Sequence, residues 1–203
     1  MAITTYTLPS ATNWKFADNI IGAPDLGTTY VAGGLGAPGI AGLPVVTTEA
    51  QLGTIVTGLS YDTTYGGNAK FILLAIPTST TTTQGLIYSY KGDYTIVVVP
   101  TAVSGAAVSG LPVALCINST SSNATSVQYA WFQIQGRGAA LKTVSITAQP
   151  SVPLFVSGAT AGRVRTTASI FRCYIGLRSA NIATATGSIL PVVMNFTNIG
   201  PGV

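Results

Sequence analysis

Five carboxylates, two cysteines and no histidine are all that 203 residues offer for acid–base or metal chemistry. Without an imidazole, neither a Ser-His nor a Cys-His nucleophile can be assembled. Paired carboxylates could still serve a glycosidase. However, Asp18, Asp25, Asp62 and Asp93 all stand in turn-like contexts, beside Asn, Leu-Gly, Thr or Gly. There an Asp side chain commonly bonds its own backbone, so these residues are expected to shape turns rather than to catalyse. The same few acids give no chelating set, and two isolated cysteines, Cys116 and Cys173, do not make a zinc site without histidine. Gly34, Gly36 and Gly39 match the dinucleotide-binding G-x-G-x-x-G by letter, but Pro38 and the surrounding glycines deny the helix which that motif must open. No Walker-type G-x-x-x-x-G-K-[ST] sequence is present. The expectation is a protein that is not an enzyme, with no catalytic residue, no cofactor and no metal.

What remains is charge, and it is unevenly laid. Charged residues make up 7% of the chain, against about 25% in an ordinary soluble domain. Mean hydropathy is nevertheless +0.50, and no run approaches the roughly 18 apolar residues that would cross a bilayer. A chain this poor in charge is best kept dissolved by neighbouring subunits that cover its surface. Residues 1–93 hold Lys15, Lys70 and Lys91 against Asp18, Asp25, Glu49, Asp62 and Asp93. Everything after Asp93 holds Arg137, Lys142, Arg163, Arg165, Arg172 and Arg178 and no acidic side chain. A purely cationic half implies an anionic partner, either nucleic acid or an acidic protein surface. Nucleic-acid modules usually gather more Lys and Arg than this, so the acidic protein surface is preferred.

The elements that position these residues are expected to be strands. Gly 23 and Pro 11, with abundant Thr, Ser, Ala and Val and few Glu, Lys, Arg and Gln, favour short strands joined by turns. The fold class expected is all-β, an antiparallel barrel or sandwich. Residues 1–44, with Gly33-Gly34-Leu35-Gly36-Ala37-Pro38-Gly39 near their end, read as an extended N-terminal arm containing at most one short strand. Residues 45–203 read as the β-rich domain, divisible into subdomains at 45–110 and 111–203. Strands are expected at Leu52 to Val56, Phe71 to Ile76, Val113 to Ile117, Gln128 to Ile134, Val144 to Ile146 and Leu154 to Val156. Leu86 to Tyr90 and Tyr94 to Val99 flank Lys91-Gly92-Asp93 and form a β-hairpin. Imperfect alternation in Gln128 to Ile134 fits a strand buried on both sides, with Trp131 in the core. In Phe171 to Arg178 the period-2 pattern places Arg172 and Arg178 together on the face opposite the core. Ile189 to Phe196 is the last strand, and Pro191 marks it as an edge or a strand start.

The remaining features bear on compartment and surface. The opening Met1-Ala2-Ile3-Thr4-Thr5-Tyr6 has neither the basic nor the apolar region of a secretory signal, so that export route is not expected. Cys116 and Cys173 are then two buried free thiols of a reducing cytoplasm. The acceptor sequons at Asn118, Asn123 and Asn195 would matter only in a glycosylating pathway.

The order of these pieces resembles that of the capsid decoration, or structural cement, proteins of tailed bacteriophages. The stretch carrying it begins near Gly53-Thr54-Ile55-Val56-Thr57-Gly58 and runs through Asp62-Thr63-Thr64-Tyr65-Gly66-Gly67-Asn68-Ala69-Lys70-Phe71-Ile72 and Leu86-Ile87-Tyr88. It continues in Leu111-Pro112-Val113-Ala114-Leu115-Cys116 and Tyr129-Ala130-Trp131-Phe132-Gln133-Ile134-Gln135-Gly136. Val152-Pro153-Leu154-Phe155-Val156-Ser157-Gly158, the following Ala159 to Val164, and Gly176-Leu177-Arg178-Ser179-Ala180 complete about three quarters of the chain. The Gly/Pro/Ala-rich segment before residue 45 departs from the plainer N-termini of such proteins. The resemblance carries no catalytic residues. It implies a β-rich virion protein, made in the host cytoplasm, that sits on the outside of the head and bridges subunits of the major capsid protein. Arg163, Arg165, Arg172 and Arg178 are the candidates for capsid contact. A homo-oligomer, a trimer ahead of a dimer, would multiply modest contacts into lasting attachment. The alternatives are a tail, fibre or receptor-binding protein, for which no fibrous repeat is found, a nucleic-acid-binding module, and a carbohydrate-active enzyme or lectin. Neither nucleic acid nor membrane is the expected partner.

Overall fold

A computed structural model describes residues 6–9, 15–16, 29–31 and, with gaps at 61, 63, 102–109, 123, 126, 144–146, 168–171 and 185, residues 52–201. The described secondary structure is all β, and every strand-to-strand ladder is antiparallel. In chain order the strands are β1 Lys15–Phe16, β2 Thr29–Val31, β3 Ile55–Ser60, β4 Gly67–Ile76, β5 Ile87–Tyr90 and β6 Ile96–Val98. There follow β7 Val113–Cys116, β8 Gln128–Leu141, β9 Pro153–Val156, β10 Val164–Arg165, β11 Arg172–Ser179 and β12 Ile189–Pro201. They form one curled sheet whose main path runs β1-β3-β4-β8-β12-β11-β9-β10, with β2 and the β5–β6–β7 group attached through β8.

β8 is the organising strand, because its two halves pair with different neighbours. Gln128 to Gln135 lies against β4, and Gln135 to Leu141 lies against β12. The first half is buried on both faces: Tyr129 and Trp131 join Phe71 and Leu73 in one cluster, while Ala130, Phe132 and Ile134 join Ile72 and Leu74 in another. A strand with two apolar environments has no polar face to encode, which is why its alternation reads as imperfect. The halves meet at Gly136, whose φ of +102° and whose missing Cβ, which would sit 2.8 Å from Ala69 Cβ, admit no side chain there. Buried Gln133 secures the bend by donating from Nε2 to the carbonyls of Gln135 and Arg137 at 3.2 and 2.7 Å. Beyond it a third cluster, including Ala140, Leu154, Tyr174, Leu177 and Leu190, fills the space between β8, β9, β11 and β12.

Several sequence expectations change here. The first expected strand starts at Ile55, because Gly53 turns at φ +80° against the Tyr94 ring. The hairpin forms with Tyr88 opposite Val98, but its link runs from Lys91 to Thr95, and Tyr94, at φ +60°, takes the left-handed position. Pro191 marks no edge, since β12 is flanked by β8 and β11; it sits near the start of β12 and its carbonyl accepts from the Ala180 N–H at 2.8 Å. The N-terminal segment contributes two short strands rather than one, β1 on β3 and β2 on β8. Thr7 and Pro9 are also held, their carbonyls accepting from the Tyr65 hydroxyl and from Gln84 Nε2. The Gly33 to Gly39 run, and with it the dinucleotide-like motif, lies outside the described residues, as do the strand expected at 144–146 and the side chains of Trp14, Asp18, Asp25 and Glu49.

Candidate functional site

The four arginines do not form one cluster. Arg163 and Arg165 flank buried Val164 at β10, the last strand of the sheet path, and so share a face. Arg163 Nη1 donates to the Lys142 carbonyl at 3.2 Å, and Arg165 Nη1 lies over the bare face of Gly158. Arg178 stands on β11, exposed, opposite Val193 of β12, and its Nη1 donates to the Ser151 carbonyl at 2.9 Å.

Arg172 is separated from Arg178 by a β-bulge, which overturns the expectation that the two share an outer face. Ile175 pairs with Asn198 but Leu177 pairs with Met194, so Gly176 alone spans Asn195, Phe196 and Thr197. Its φ of +87° and the 2.6 Å approach of the Asn195 carbonyl to its missing Cβ explain why glycine occupies the bulge. The bulge resets the period-2 phase. Before it Tyr174 points inward and Ile175 outward; after it Leu177 and Ser179 point inward and Arg178 outward. Arg172 therefore lies on the Tyr174 side, half-buried, with Nε and Nη1 buried and without hydrogen bonds. A glycine inside the run was the signal for this, because isolated strand glycines mark bulges.

Two acids act as expected of turn residues. Asp62 Oδ1 accepts from the N–H groups of Thr64 and Tyr65, both at 2.8 Å, and Asp93 Oδ1 accepts from the Thr95 N–H at 3.0 Å. The bond from Thr95 holds the Asp93 carboxyl below its ordinary range. Both cysteines are free thiols, but only Cys116 is buried; Cys173, out of phase with Tyr174, is partly exposed. Cys116 Sγ donates to the Asn118 carbonyl, and burial pushes its thiol up to about 11, which leaves it an inert core group at neutral pH.

The sequence reading missed Lys142 and Phe196. Lys142 belongs to the cationic half of the sequence, yet it is fully buried and its Nζ has no hydrogen-bond partner. Loss of water lowers its ammonium below the ordinary value. Its place two residues beyond Ala140, on the inner face of β8, was the available signal. Phe196 is 53% exposed with φ +45°, and Lys70 Nζ lies 5.4 Å from its ring centroid. Around it the outer face of β11 and β12 presents Ile175, Val193 and Arg178 to solvent.

A scan against protein-family models finds no match for this chain, and a search of curated proteins finds no significant relative.

Proposed function

We propose that this protein is a non-enzymatic structural protein of a bacteriophage virion, which decorates the outside of the capsid and cements it by bridging subunits of the major capsid protein. The observation that carries the reading is the outer face of β11 and β12, where Ile175, Val193 and Phe196 stand exposed beside Arg178 in a half of the chain that has no acidic side chain. Large apolar side chains exposed together around a cation suit a protein surface of matching shape and negative charge. The low overall charge fits broad, neutral, hydrogen-bonding contacts with neighbouring subunits. Docking through two or three copies of a homo-oligomer, a trimer ahead of a dimer, would raise the strength of attachment without any single tight contact.

The test is co-sedimentation with DNA-free capsids. Arg178→Glu is expected to weaken association by about tenfold or more while the unfolding midpoint stays put, because Arg178 is exposed. Arg172→Glu serves as the contrast: with two guanidinium nitrogens already buried, its effect is expected on folding first. Tight, steeply salt-dependent binding to naked DNA, with no affinity for empty capsids, would replace this reading with the nucleic-acid module.

A further inference from the structure

Arg178 has a counterpart on the other flank of Val193. In the β8–β12 ladder Val193 stands directly opposite Arg137, and in the β12–β11 ladder it stands directly opposite Arg178. Cross-strand partners share a face, so Arg137, Val193 and Arg178 form one row, and all three are exposed. The β8–β12 register is unbroken from Ile189 opposite Leu141 to Asn195 opposite Gln135, which fixes the face of Arg137. Pro153 of β9, opposite Arg178 and also exposed, continues the row. Two antiparallel steps separate the arginines by about 10 Å at Cα. Arg178 is pinned through Nη1 to the Ser151 carbonyl at 2.9 Å, and its remaining N–H donors can meet a partner. The described acids do not serve this row, because Asp62 and Asp93 hold their own turns.

We infer that Arg137 and Arg178 form a two-arginine clamp, across Val193, for a pair of carboxylates carried side by side on an extended segment of a partner protein. This rests on the reading that the protein docks on another protein's acidic surface, and it adds Arg137 to that contact. A guanidinium matches a carboxylate fork to fork, so each arginine takes one acid. In an extended segment, acids two residues apart share a face at about 7 Å. The long, flexible stem of Arg137 closes the remaining gap, while the methylenes of the two acids pack on Val193. A second copy of this chain does not supply such a segment, because no two of its five acids stand two residues apart. A nucleic-acid strand is disfavoured for another reason. Phosphate-tracking surfaces gather more cations than two, and this row is bordered by exposed Ile175 and Phe196.

The experiment is an amide-resolved NMR titration of the full chain with three probes: a five-residue peptide with glutamates at its second and fourth positions, its glutamine counterpart, and oligothymidylate. The glutamate peptide is expected to give saturable shifts centred on Arg137, Val193 and Arg178, and the glutamine peptide to bind about tenfold more weakly. Arg137→Gln and Arg178→Gln should each weaken the glutamate peptide about threefold. Lys91→Gln removes the same unit of charge at the exposed hairpin turn and should leave that binding unchanged. Equal losses for Lys91→Gln and Arg137→Gln would reduce the effect to net charge and overturn the assignment. So would no saturable response to the glutamate peptide, or a preference of this row for oligothymidylate. Shifts at the same amides that grow with protein concentration alone would place a second copy on the face and overturn it too. Capsid co-sedimentation separates this assignment from the reading it rests on. Peptide binding at the row without capsid association removes the docking function and leaves the clamp, whereas capsid association that Arg137→Gln leaves at full strength does the reverse.

Discussion

Two neighbouring regions of the sheet spend their side chains differently. Where β4 lies against the first half of β8, both faces are covered, Phe71, Leu74 and Phe132 are fully buried, and the acids at its margins are tied to backbone N–H groups. Where β11 lies against β12, one face packs on Leu154, Leu190 and Met194, while the other leaves Ile175, Val193, Phe196 and Arg178 to solvent. The cations of that second region have no acids of their own half to meet. Hydrophobic and polar groups in the first region are consumed by folding; in the second, a share stays exposed to solvent. Truncating a large aromatic should therefore be costly in one region and nearly free in the other.

The sharpest form of that contrast is Phe132→Ala against Phe196→Ala. Phe132 is fully buried and meets the Tyr88 ring edge-on at 5.8 Å, so its truncation is expected to cost ~3–5 kcal/mol. Phe196→Ala removes a half-exposed ring and should shift stability by no more than ~0.5 kcal/mol. Urea denaturation of both variants decides it; equal losses would mean that the β11–β12 face is part of the core rather than a surface left to solvent.

Lys142 tests the same division from inside. Its ammonium is buried with no partner, so Lys142→Met is expected to stabilise the protein by ~1–3 kcal/mol at neutral pH. The sign with pH follows from a folded pKa lowered below the ordinary 10.5. In the unfolded chain the amine stays protonated up to that ordinary value, so the burial penalty is full below the folded pKa and fades as pH rises through the window to 10.5. The advantage of the Met variant should shrink across that window. A Met variant less stable at neutral pH would show that Lys142 meets an anion in the folded protein.

Much of this architecture is legible in the sequence. The β class, the β5–β6 hairpin, the doubly buried strand at Gln128 to Ile134 and the turn roles of Asp62 and Asp93 follow from local chemistry that the structure reproduces. The face of Arg172 did not follow, and the burial of Lys142 was not read from the sequence. A period-2 reading assumes an unbroken ladder, and the bulge at Gly176 inverts the phase for every residue beyond it. Lys142 entered only as one of the six cations after Asp93, while its position two residues beyond Ala140 puts it on the inner face, where it is buried.

Tyr88 gives a smaller effect with a definite pH signature. Burial pushes its phenol from 10.0 up to about 12, against a smaller opposing pull from the Thr83 N–H, which donates to its oxygen at 3.1 Å. A raised folded pKa keeps its contribution intact below the unfolded value of 10.0 and loses it as pH rises toward about 12. Tyr88→Phe should cost ~1 kcal/mol at neutral pH for the unpaired Thr83 N–H. The variant should also lose less stability than the parent between those pH values, as thermal melts at neutral and alkaline pH would show. A parallel decline in both proteins would assign the alkaline loss to the other buried phenols, Tyr65 and Tyr174, which burial also raises.

The smallest expected effect sits at the hairpin turn. Asp93 accepts from the Thr95 N–H, and that bond, with nearby Lys91 helping, lowers its pKa below 3.8. A lowered folded pKa means that its contribution is present above the unfolded value and is lost as pH falls through the folded one. Asp93→Asn keeps the acceptor oxygen for Thr95 but cannot be protonated, so the turn should survive while this share of acid sensitivity disappears. Acid titrations followed by tyrosine fluorescence should then show a slightly lower midpoint for the variant, with β5 and β6 still paired at neutral pH. A variant whose hairpin amides lose protection at neutral pH would mean that the carboxylate's charge, and not only its hydrogen bond, holds the turn. That outcome would also weaken the contrast between a self-sufficient first region and a second one that leaves large apolar side chains exposed.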